Sequence, residues 1–180
     1  MSDVFVDATV LVALGAVGEL ELLDAFDGTI AIPDAVRDQV TTEPARTNLD
    51  RFVDDHEVVT GSVETDWTED ALRVLDASEP TSDVRVIEGI LDATDGPDAH
   101  GDDGDTGPTV GLVSDDRRLR TVAEGFGATV TGTFGVVVRA AVSDKYFSQS
   151  QAKRIVRRID SHGLHLTGEL REQAVGSAES

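Results

Sequence analysis

The sequence contains no cysteine and few aromatic residues, with one Trp, one Tyr and six Phe among 180 residues. The missing thiols exclude disulfide bonds and thiolate zinc sites, and they leave the redox compartment open. No apolar run approaches the roughly 20 residues of a membrane helix. The N-terminus lacks the basic segment and apolar core of a secretion signal. We therefore expect a soluble, cytoplasmic protein without a membrane partner.

Positive charge is also scarce. Thirty-five acidic residues face 15 basic ones, of which only two are lysine, and the formal net charge is −20. Such a composition resembles that of proteins from halophilic archaea, in which molar salt screens the self-repulsion over a Debye length of about 3 Å. An acidic chain that binds basic partners is the alternative. In either case an exposed carboxylate is weak evidence of a functional site, and only carboxylates at buried positions are informative.

Short strands alternate with helical segments along the chain, which predicts βαβ units and a parallel sheet. Helical spacing in 9–14 and 19–26 is interrupted by Gly15 and Gly18, and Asp34 is placed to cap the next helix. We predict a three-layer α/β/α fold with about five strands, followed by C-terminal helices. The predicted strands are 4–6, 29–32, 57–60, 110–114 and 128–131, and the further helices are 34–40, 45–56, 68–77, 81–93, 115–125 and most of the chain from 134.

Residues 94–109 contain mostly Gly, Asp, Pro and Thr, so we predict a disordered acidic insertion there. His100 lies in this segment, and we interpret it as a solvated loop residue rather than a metal ligand. We assign 1–142 to one α/β domain and 143–180 to a helical extension. One predicted helix of this extension concentrates the scarce positive charge at Lys153, Arg154, Arg157 and Arg158.

Four acidic residues are predicted at the carboxyl ends of the strands, where open parallel sheets bind ligands. Asp7 follows the first strand, and Asp115 and Asp116 follow the fourth. Asp83 begins a helix and shares the face of the apolar residue Val86. Buried charges are costly unless they are paired or bind metal, and oxygen-only ligands indicate Mg²⁺ or Mn²⁺.

The hydroxyls of Thr9 and Ser114 are placed to hold a carboxylate or a metal-bound water. The alternative is structural, because Asp7 and Ser114 can act as helix N-caps, and Asp115 and Asp116 can favour a helix dipole.

Three stretches of the sequence resemble the PIN domain, a metal-dependent ribonuclease family that includes toxins of toxin–antitoxin pairs. They are VFVDATVLVAL, IAIPDAVRDQV and LVSDDRRLRTVAEGFGATVTGTFGVVVRAA. The segment IDSHGLHLTGEL is similar to a branch of archaeal and bacterial members with extra C-terminal helices. The resemblance covers nearly the whole chain apart from the acidic insertion.

The resemblance implies that Asp7, Asp83 and Asp116 are catalytic metal ligands, with Asp115 as a further ligand. Thr9 and Ser114 match supporting hydroxyl positions.

The second family acid, usually Glu, falls on Gln39, which we place on the inner face of its helix. Asp38 points about 100° away. Glu43 lies on the right face but precedes Pro44, which disfavours helix there.

These matches imply a Mg²⁺- or Mn²⁺-dependent ribonuclease that hydrolyses RNA phosphodiesters, with Arg117, Arg118 and Arg120 either contacting RNA phosphates or solvating their helix. The resemblance implies RNA as the substrate, and it is compatible with an antitoxin protein or a second copy of the chain as a partner.

A weakened PIN fold that binds RNA or a protein without cutting is the alternative, because Gln39 replaces an acid. An aspartyl phosphatase is disfavoured because Thr9 replaces the second Asp of Asp-x-Asp. A dinucleotide-binding fold is disfavoured because no Gly-x-Gly-x-x-Gly follows a strand.

Overall fold

The short strands pair into a single parallel sheet of five. The computed structural model describes residues 3–95, 110–143 and 148–161. The strands lie in the order β3-β2-β1-β4-β5, and each neighbouring pair is parallel. This confirms the predicted sheet. The strands are β1 Asp3–Val6, β2 Thr29–Ala31, β3 Val58–Val59, β4 Gly111–Val113 and β5 Thr129–Thr131.

Helices cover both faces of the sheet, which confirms the three-layer architecture. The α-helices are α1 Ala8–Ala16, α2 Asp34–Arg37, α3 Ala45–Asp55, α4 Thr68–Val74, α5 Ser82–Asp95, α6 Arg117–Gly125, α7 Thr133–Ser143 and α8 Gln149–Ser161. Helix α1 packs against α3, α7 and α8, whereas α5 packs against α4, α6 and β1. None of the helices in the described ranges combines the length and the apolarity that crossing a membrane requires.

The predicted interruption of the first helix at Gly15 is not observed. Helix α1 continues through Gly15. Helix α3 packs so closely there that a Cβ on Gly15 would lie 3.0 Å from the Cα of Ala45, so the absence of a side chain permits the contact. Gly18, with φ of +72°, lies just beyond the helix end. The segment predicted as helix 19–26 forms a 3₁₀ helix, Leu20–Ala25.

The prediction of a helix over 34–40 was wrong in length. Helix α2 ends at Arg37, whose carbonyl accepts a hydrogen bond of 3.0 Å from Arg46 Nη1. Pro33 rather than Asp34 is the N-cap, and the Asp34 carboxylate accepts from the Gly61 N–H instead. Gln39 is therefore beyond the helix and exposed, not on an inner face.

Asp38, beside Gln39, is exposed as well. The predicted inward residues Val36 and Val40 are both fully buried.

The first two residues of the predicted insertion are helical. Helix α5 runs to Asp95, and the Thr94 hydroxyl donates to the Ile90 carbonyl at 2.9 Å, so residues 94 and 95 belong to the helix. Residues 96–109, with His100, lie outside the described residues. So does the predicted helical segment that follows 161.

Helix α8 buries Ala152, Ile155, Val156 and Ile159 in the same hydrophobic core as the sheet. This core therefore extends across the boundary that we predicted at 142.

Gly89 provides a test of the contact between α5 and β1. Alanine in a helix interior is normally favoured over glycine by about 0.5–1 kcal/mol. A Cβ on Gly89, however, would lie 2.5 Å from the Phe5 ring, which is buried against it. We expect Gly89→Ala to lower the free energy of unfolding by about 1–3 kcal/mol, as overpacking does, measured by urea unfolding.

Gly125→Ala is the matched control, because nothing lies within 4 Å of a Cβ on Gly125 at the end of α6. It should be neutral or stabilising. Equal stability of Gly89→Ala and wild type would contradict the close contact.

Candidate active site

Asp7 is the most buried carboxylate at the carboxyl end of the sheet, with 3% of its surface exposed. It follows β1 directly and caps α1, since its Oδ1 accepts from the Ala8 N–H at 2.8 Å. Its Oδ2 accepts from the Thr9 hydroxyl at 2.9 Å and from the Ser114 hydroxyl at 2.8 Å. The predicted capping role is therefore present, and it occupies only part of the carboxylate.

The loop after β4 is tied to Asp7 through the two supporting hydroxyls. Ser114 is fully buried, and its hydroxyl accepts from the Asp116 N–H at 3.0 Å while donating to Asp7. The Thr9 hydroxyl likewise accepts from the Asp115 N–H at 3.1 Å. Each hydroxyl thus joins the Asp7 carboxylate to the backbone of Asp115 or Asp116. These bonds link the end of β1 to the end of β4.

Asp115 and Asp116 point to different partners. Both oxygens of Asp115 are bound by Thr133, from its backbone N–H at 2.8 Å and from its hydroxyl at 2.5 Å. Asp116 caps α6 with Oδ1, which accepts from the Leu119 N–H at 3.0 Å. Its Oδ2 makes no hydrogen bond within the described ranges. Asp116 is therefore the better placed of the two to bind a ligand.

Four helix N-termini meet at this edge. Helix α1 begins after Asp7, α5 carries Asp83 in its first turn, α6 begins after Asp116, and α7 begins at Thr133, which binds Asp115. The N-terminal dipole of a helix favours nearby negative charge. Each of the four acidic side chains therefore has a local structural reason to sit at this edge.

Asp83 is the carboxylate that the fold leaves without a partner. It is half-buried, and no hydrogen bond or salt bridge joins its side chain to the described residues. Burial raises the pKa of Asp83, and the charges of Asp7 and Asp116 raise it further. The charge of Arg118 acts in the opposite direction. Three of the predicted site residues are thus close enough to repel one another.

Arg118 is held beside this group by the protein backbone. Its Nη2 donates a short hydrogen bond to the Leu75 carbonyl, in the segment between α4 and α5. Of the other two arginines, Arg117 is exposed at the start of α6, and Arg120 lies near the turn at Gly132. The positive charge of Arg118 acts on the carboxylate of Asp83.

The chemistry of these donors fits a hydrated divalent cation. Across residues 3–95, 110–143 and 148–161, no three His, Cys, Asp or Glu side chains lie close enough to enclose a metal ion. Mg²⁺ does not need such a cage, because it keeps several waters and binds through one or two carboxylates. The unpaired Asp83 and the open Oδ2 of Asp116 provide oxygen donors, and a cation would relieve their repulsion.

The other predicted site residues are not drawn into this network. Gln39 and Asp38 are exposed in the turn after α2, and neither makes a hydrogen bond with Asp7, Asp83 or Asp116 in the described ranges. Thr133, which fixes Asp115, was missed as a site residue. Its only sequence signal is a threonine at the start of a helix, which carries no information about a partner 18 residues away.

A cavity of about 490 Å³ lies elsewhere, at the amino ends of β2 and β3. His56 lines it, contacting Asp24 at 2.9 Å and stacking on Phe52. Open parallel sheets bind their ligands at the carboxyl ends of the strands. We therefore assign the candidate active site to the carboxylates and not to this cavity.

The C-terminal part of the chain is similar to a known protein family. The model of a family described as a PIN domain matches residues 106–180, which include β4, Asp115, Asp116 and the helices that follow. No curated protein and no solved structure matches the chain significantly.

Proposed function

Because the chain is a PIN-domain protein, and PIN domains have a nuclease-type fold, we propose that it is a divalent-metal-dependent ribonuclease that hydrolyses RNA phosphodiesters. The observation that carries the proposal is the placement of Asp83. Its half-buried carboxylate faces Asp7 and Asp116 without a protein partner in the described ranges, and burial together with these two charges raises its pKa. A fold that brings three such carboxylates together needs a cation to offset their repulsion.

A bound Mg²⁺ or Mn²⁺ would polarise a phosphate oxygen and lower the pKa of a bound water for attack in line. Asp83 and Asp116 would bind the hydrated ion, and Asp7 would contribute its charge and hold metal-bound waters. Asp115 is less suited, because both of its oxygens are occupied by Thr133.

Ser114 and Thr9 would act as positioning residues. Their hydroxyls fix Oδ2 of Asp7, so that the remaining lone pair of Oδ1 is directed consistently. The hydrogen bonds that the Asp115 and Asp116 N–H groups donate to the hydroxyls of Thr9 and Ser114 keep these two acidic residues at a constant distance from Asp7. Loss of a hydrogen bond that orients a metal-binding side chain typically lowers metal affinity or activity by about 10–100-fold.

Arg118 would neutralise part of the charge of an incoming phosphate. It is held at the Leu75 carbonyl and already acts on the charge of Asp83. Arg117 and Arg120 would contact phosphates further along the strand.

The resemblance of the motifs to toxin nucleases also supports a role as the toxin of a toxin–antitoxin pair, with an antitoxin protein as partner. Growth arrest on expression of wild type, but not of Asp7→Asn, tests the toxin role.

A catalytically weakened module that binds RNA or a protein is the second candidate. The observation that favours it is the exposed Gln39, which replaces the second family acid and contributes no charge to the crevice. If this candidate is right, Gln39→Glu should strengthen metal binding.

The decisive experiment is cleavage of labelled structured RNA in molar KCl, with Mn²⁺, with Mg²⁺ and with EDTA. We expect metal-dependent cleavage by wild type and a loss of at least about 100-fold in Asp7→Asn, because a ligand charge is removed. Asparagine caps helices as well as aspartate does, but its NH₂ group would replace Oδ2, which accepts from Thr9 and Ser114. Circular dichroism in molar KCl therefore verifies the fold of the variant.

Asp54→Asn, on the exposed side of α3, is the matched control for loss of one acid. It should cleave like wild type. Cleavage that survives in EDTA, or an unchanged rate in Asp7→Asn, would refute the proposal. If a folded wild type does not cut, the binding module becomes the better description.

A further inference from the structure

Helix α8 carries a positive charge that contrasts with the rest of the chain. Its 13 residues, QSQAKRIVRRIDS, include four basic side chains and one acid, a formal charge of +3, whereas the whole chain carries −20. We define the α8 basic face as Lys153, Arg154, Arg157 and Arg158. These residues form two adjacent rows with a spacing of four, so their side chains lie on neighbouring strips of the helix.

The orientation of α8 directs this face away from the core. Ala152, Ile155, Val156 and Ile159 are 4% exposed or less and pack into the hydrophobic core. Arg154 and Arg157 are exposed, and Lys153 is half-buried. The amphipathic pattern of the helix therefore serves packing on one side and leaves the basic side open to solvent within the described part of the protein.

Part of this charge serves the fold. Arg158 donates to the Val17 carbonyl at 2.7 Å and lies 3.5 Å from Glu19, at the end of α1. Arg154 acts on Glu19 at longer range, where it opposes the rise that burial produces in the pKa of that carboxyl. Lys153 and Arg157 have no hydrogen bond or salt bridge to the described residues. Folding thus accounts for Arg158 and leaves Arg157 and Lys153 unexplained.

We propose that the α8 basic face binds the phosphates of the RNA substrate outside the active site. The inference rests on the proposed ribonuclease function. An enzyme of net charge −20 repels a polyanion, and its crevice is lined by carboxylates. Arg117, Arg118 and Arg120 are the basic side chains placed beside this crevice, and a further basic surface would favour productive encounter. Three of the four side chains are arginine, whose planar guanidinium binds phosphate through two parallel hydrogen bonds.

The position of the face sets the length of RNA that can use both sites. Arg158 contacts Val17, ten residues along the chain from Asp7. At 1.5 Å per helical residue, Val17 lies about 15 Å from Asp7, so the Arg158 end of the α8 basic face lies on the order of 15 Å from the active site. With a rise of about 3.4 Å per nucleotide in a stacked strand, a single strand covers this distance with roughly five nucleotides. A longer single strand can therefore occupy both.

The test is binding of a fluorescently labelled 20-nucleotide single-stranded RNA in EDTA, at KCl concentrations from 0.3 to 1 M. The variant is Arg154→Gln with Arg157→Gln, and the control is Arg51→Gln with Arg73→Gln, two exposed arginines on α3 and α4. The α8 variant and the control each lose two positive charges. Circular dichroism at each KCl concentration verifies the fold.

We expect the α8 variant to bind at least threefold more weakly at 0.3 M KCl than the control does. Each phosphate contact in single-stranded nucleic acid contributes about 0.7 to the slope of log affinity against log salt. Losing two contacts should therefore make the slope shallower by about 1.4, while the control keeps the wild-type slope.

Three results would overturn the proposal: equal weakening in both variants, unchanged binding in the α8 variant, or competition by polyglutamate as effective as that by unlabelled RNA of equal charge. The last would identify the face as a site for an acidic protein. Because binding is measured in EDTA, the outcome is separate from that of the cleavage experiment. A wild type that binds RNA through α8 without cutting it would refute only the ribonuclease proposal.

Discussion

Replacing Asp83 with asparagine is expected to remove RNA cleavage while making the metal-free protein slightly more stable. The carboxylate is half-buried, faces Asp7 and Asp116, and has no protein partner in the described ranges. Burial and these two charges therefore disfavour its ionised form in the folded state. Asparagine removes the charge with almost no change in shape, so it removes the repulsion and the metal ligand together.

The stabilising effect should be modest. Asp83 lies in the first turn of α5, where the helix dipole favours a negative charge by about 0.3–1 kcal/mol, and its partial exposure weakens the repulsion. The raised pKa means that the unfavourable contributions prevail. We expect the free energy of unfolding in EDTA to rise by up to about 1 kcal/mol, or roughly 2–4 °C in Tm. Cleavage should fall by about 100-fold or more.

The pH dependence follows from the direction of the shift. A carboxyl whose pKa is raised on folding destabilises the folded state when both states are ionised, above the folded pKa. The penalty disappears as the pH falls through that pKa towards the unfolded value of 3.8. The difference in stability between Asp83→Asn and wild type should therefore be largest near neutral pH and shrink under acidic conditions.

Asp92→Asn, an exposed acid on the same helix, is the control for charge loss on α5. Thermal unfolding in EDTA and RNA cleavage with Mn²⁺ are measured for all three proteins. A destabilised Asp83→Asn, or one that cleaves like wild type, would show that Asp83 is a structural residue and not a metal ligand.

Replacing Glu88 with glutamine is expected to destabilise the protein strongly. Glu88 is completely buried on α5. Its Oε1 accepts from the Thr65 N–H and the Thr68 hydroxyl, both at 2.6 Å, and from the Thr65 hydroxyl at 3.1 Å. Its Oε2 accepts from Arg85 Nη1 at 2.9 Å. These bonds fasten the connection between β3 and α4 to α5.

Glutamine keeps the shape but cannot satisfy these donors, because its NH₂ group would face either the arginine or the threonines. Removing one partner of a buried charged pair costs about 3–5 kcal/mol, and glutamine can recover part of that loss through its remaining oxygen. We expect a loss of about 2–4 kcal/mol in the free energy of unfolding, measured by urea unfolding at neutral pH.

Burial acts to raise the pKa of Glu88, but the hydrogen bonds from Thr68, Thr65 and Arg85 outweigh it and hold the pKa below its ordinary value of 4.5. Its stabilising contribution is therefore complete above the unfolded pKa and is lost as the pH falls through the folded one. The destabilisation in Glu88→Gln should persist from neutral pH to about 5 and diminish in stronger acid.

Glu79→Gln, at an exposed position before α5, is the control and should unfold like wild type. A Glu88→Gln protein within about 0.5 kcal/mol of wild type would mean that this buried network contributes little net stability.

Local patterns were sufficient to predict the sheet. Strands β1 and β4, which precede Asp7 and Asp116, pair in parallel, as the alternation of strands and helices predicted. Parallel strands end at the same edge, so polar residues just after buried strands were predictable candidates. Asp83 was predictable because it shares a helix face with Val86, which is fully buried.

Helix length was less predictable, because packing outweighs local propensity. Helix α1 continues through Gly15, where the missing side chain permits close packing on Ala45, and the Arg46 hydrogen bond to the Arg37 carbonyl accompanies the early end of α2. Because α2 ends at Arg37, Gln39 lies outside the helix and is exposed, not on the predicted inner face. None of these contacts has a signal in the neighbouring sequence.

That carboxylates gather where the parallel strands end could be predicted from the sequence, because the prediction needs only strand order and residue type. The role of each carboxylate depends on contacts that form in the folded protein. Thr133 binds Asp115, Arg85 and two threonines bind Glu88, and Asp83 has no partner in the described ranges. A carboxylate is structural or available to a ligand according to the donors that the fold brings near it, and most of those donors are distant along the chain.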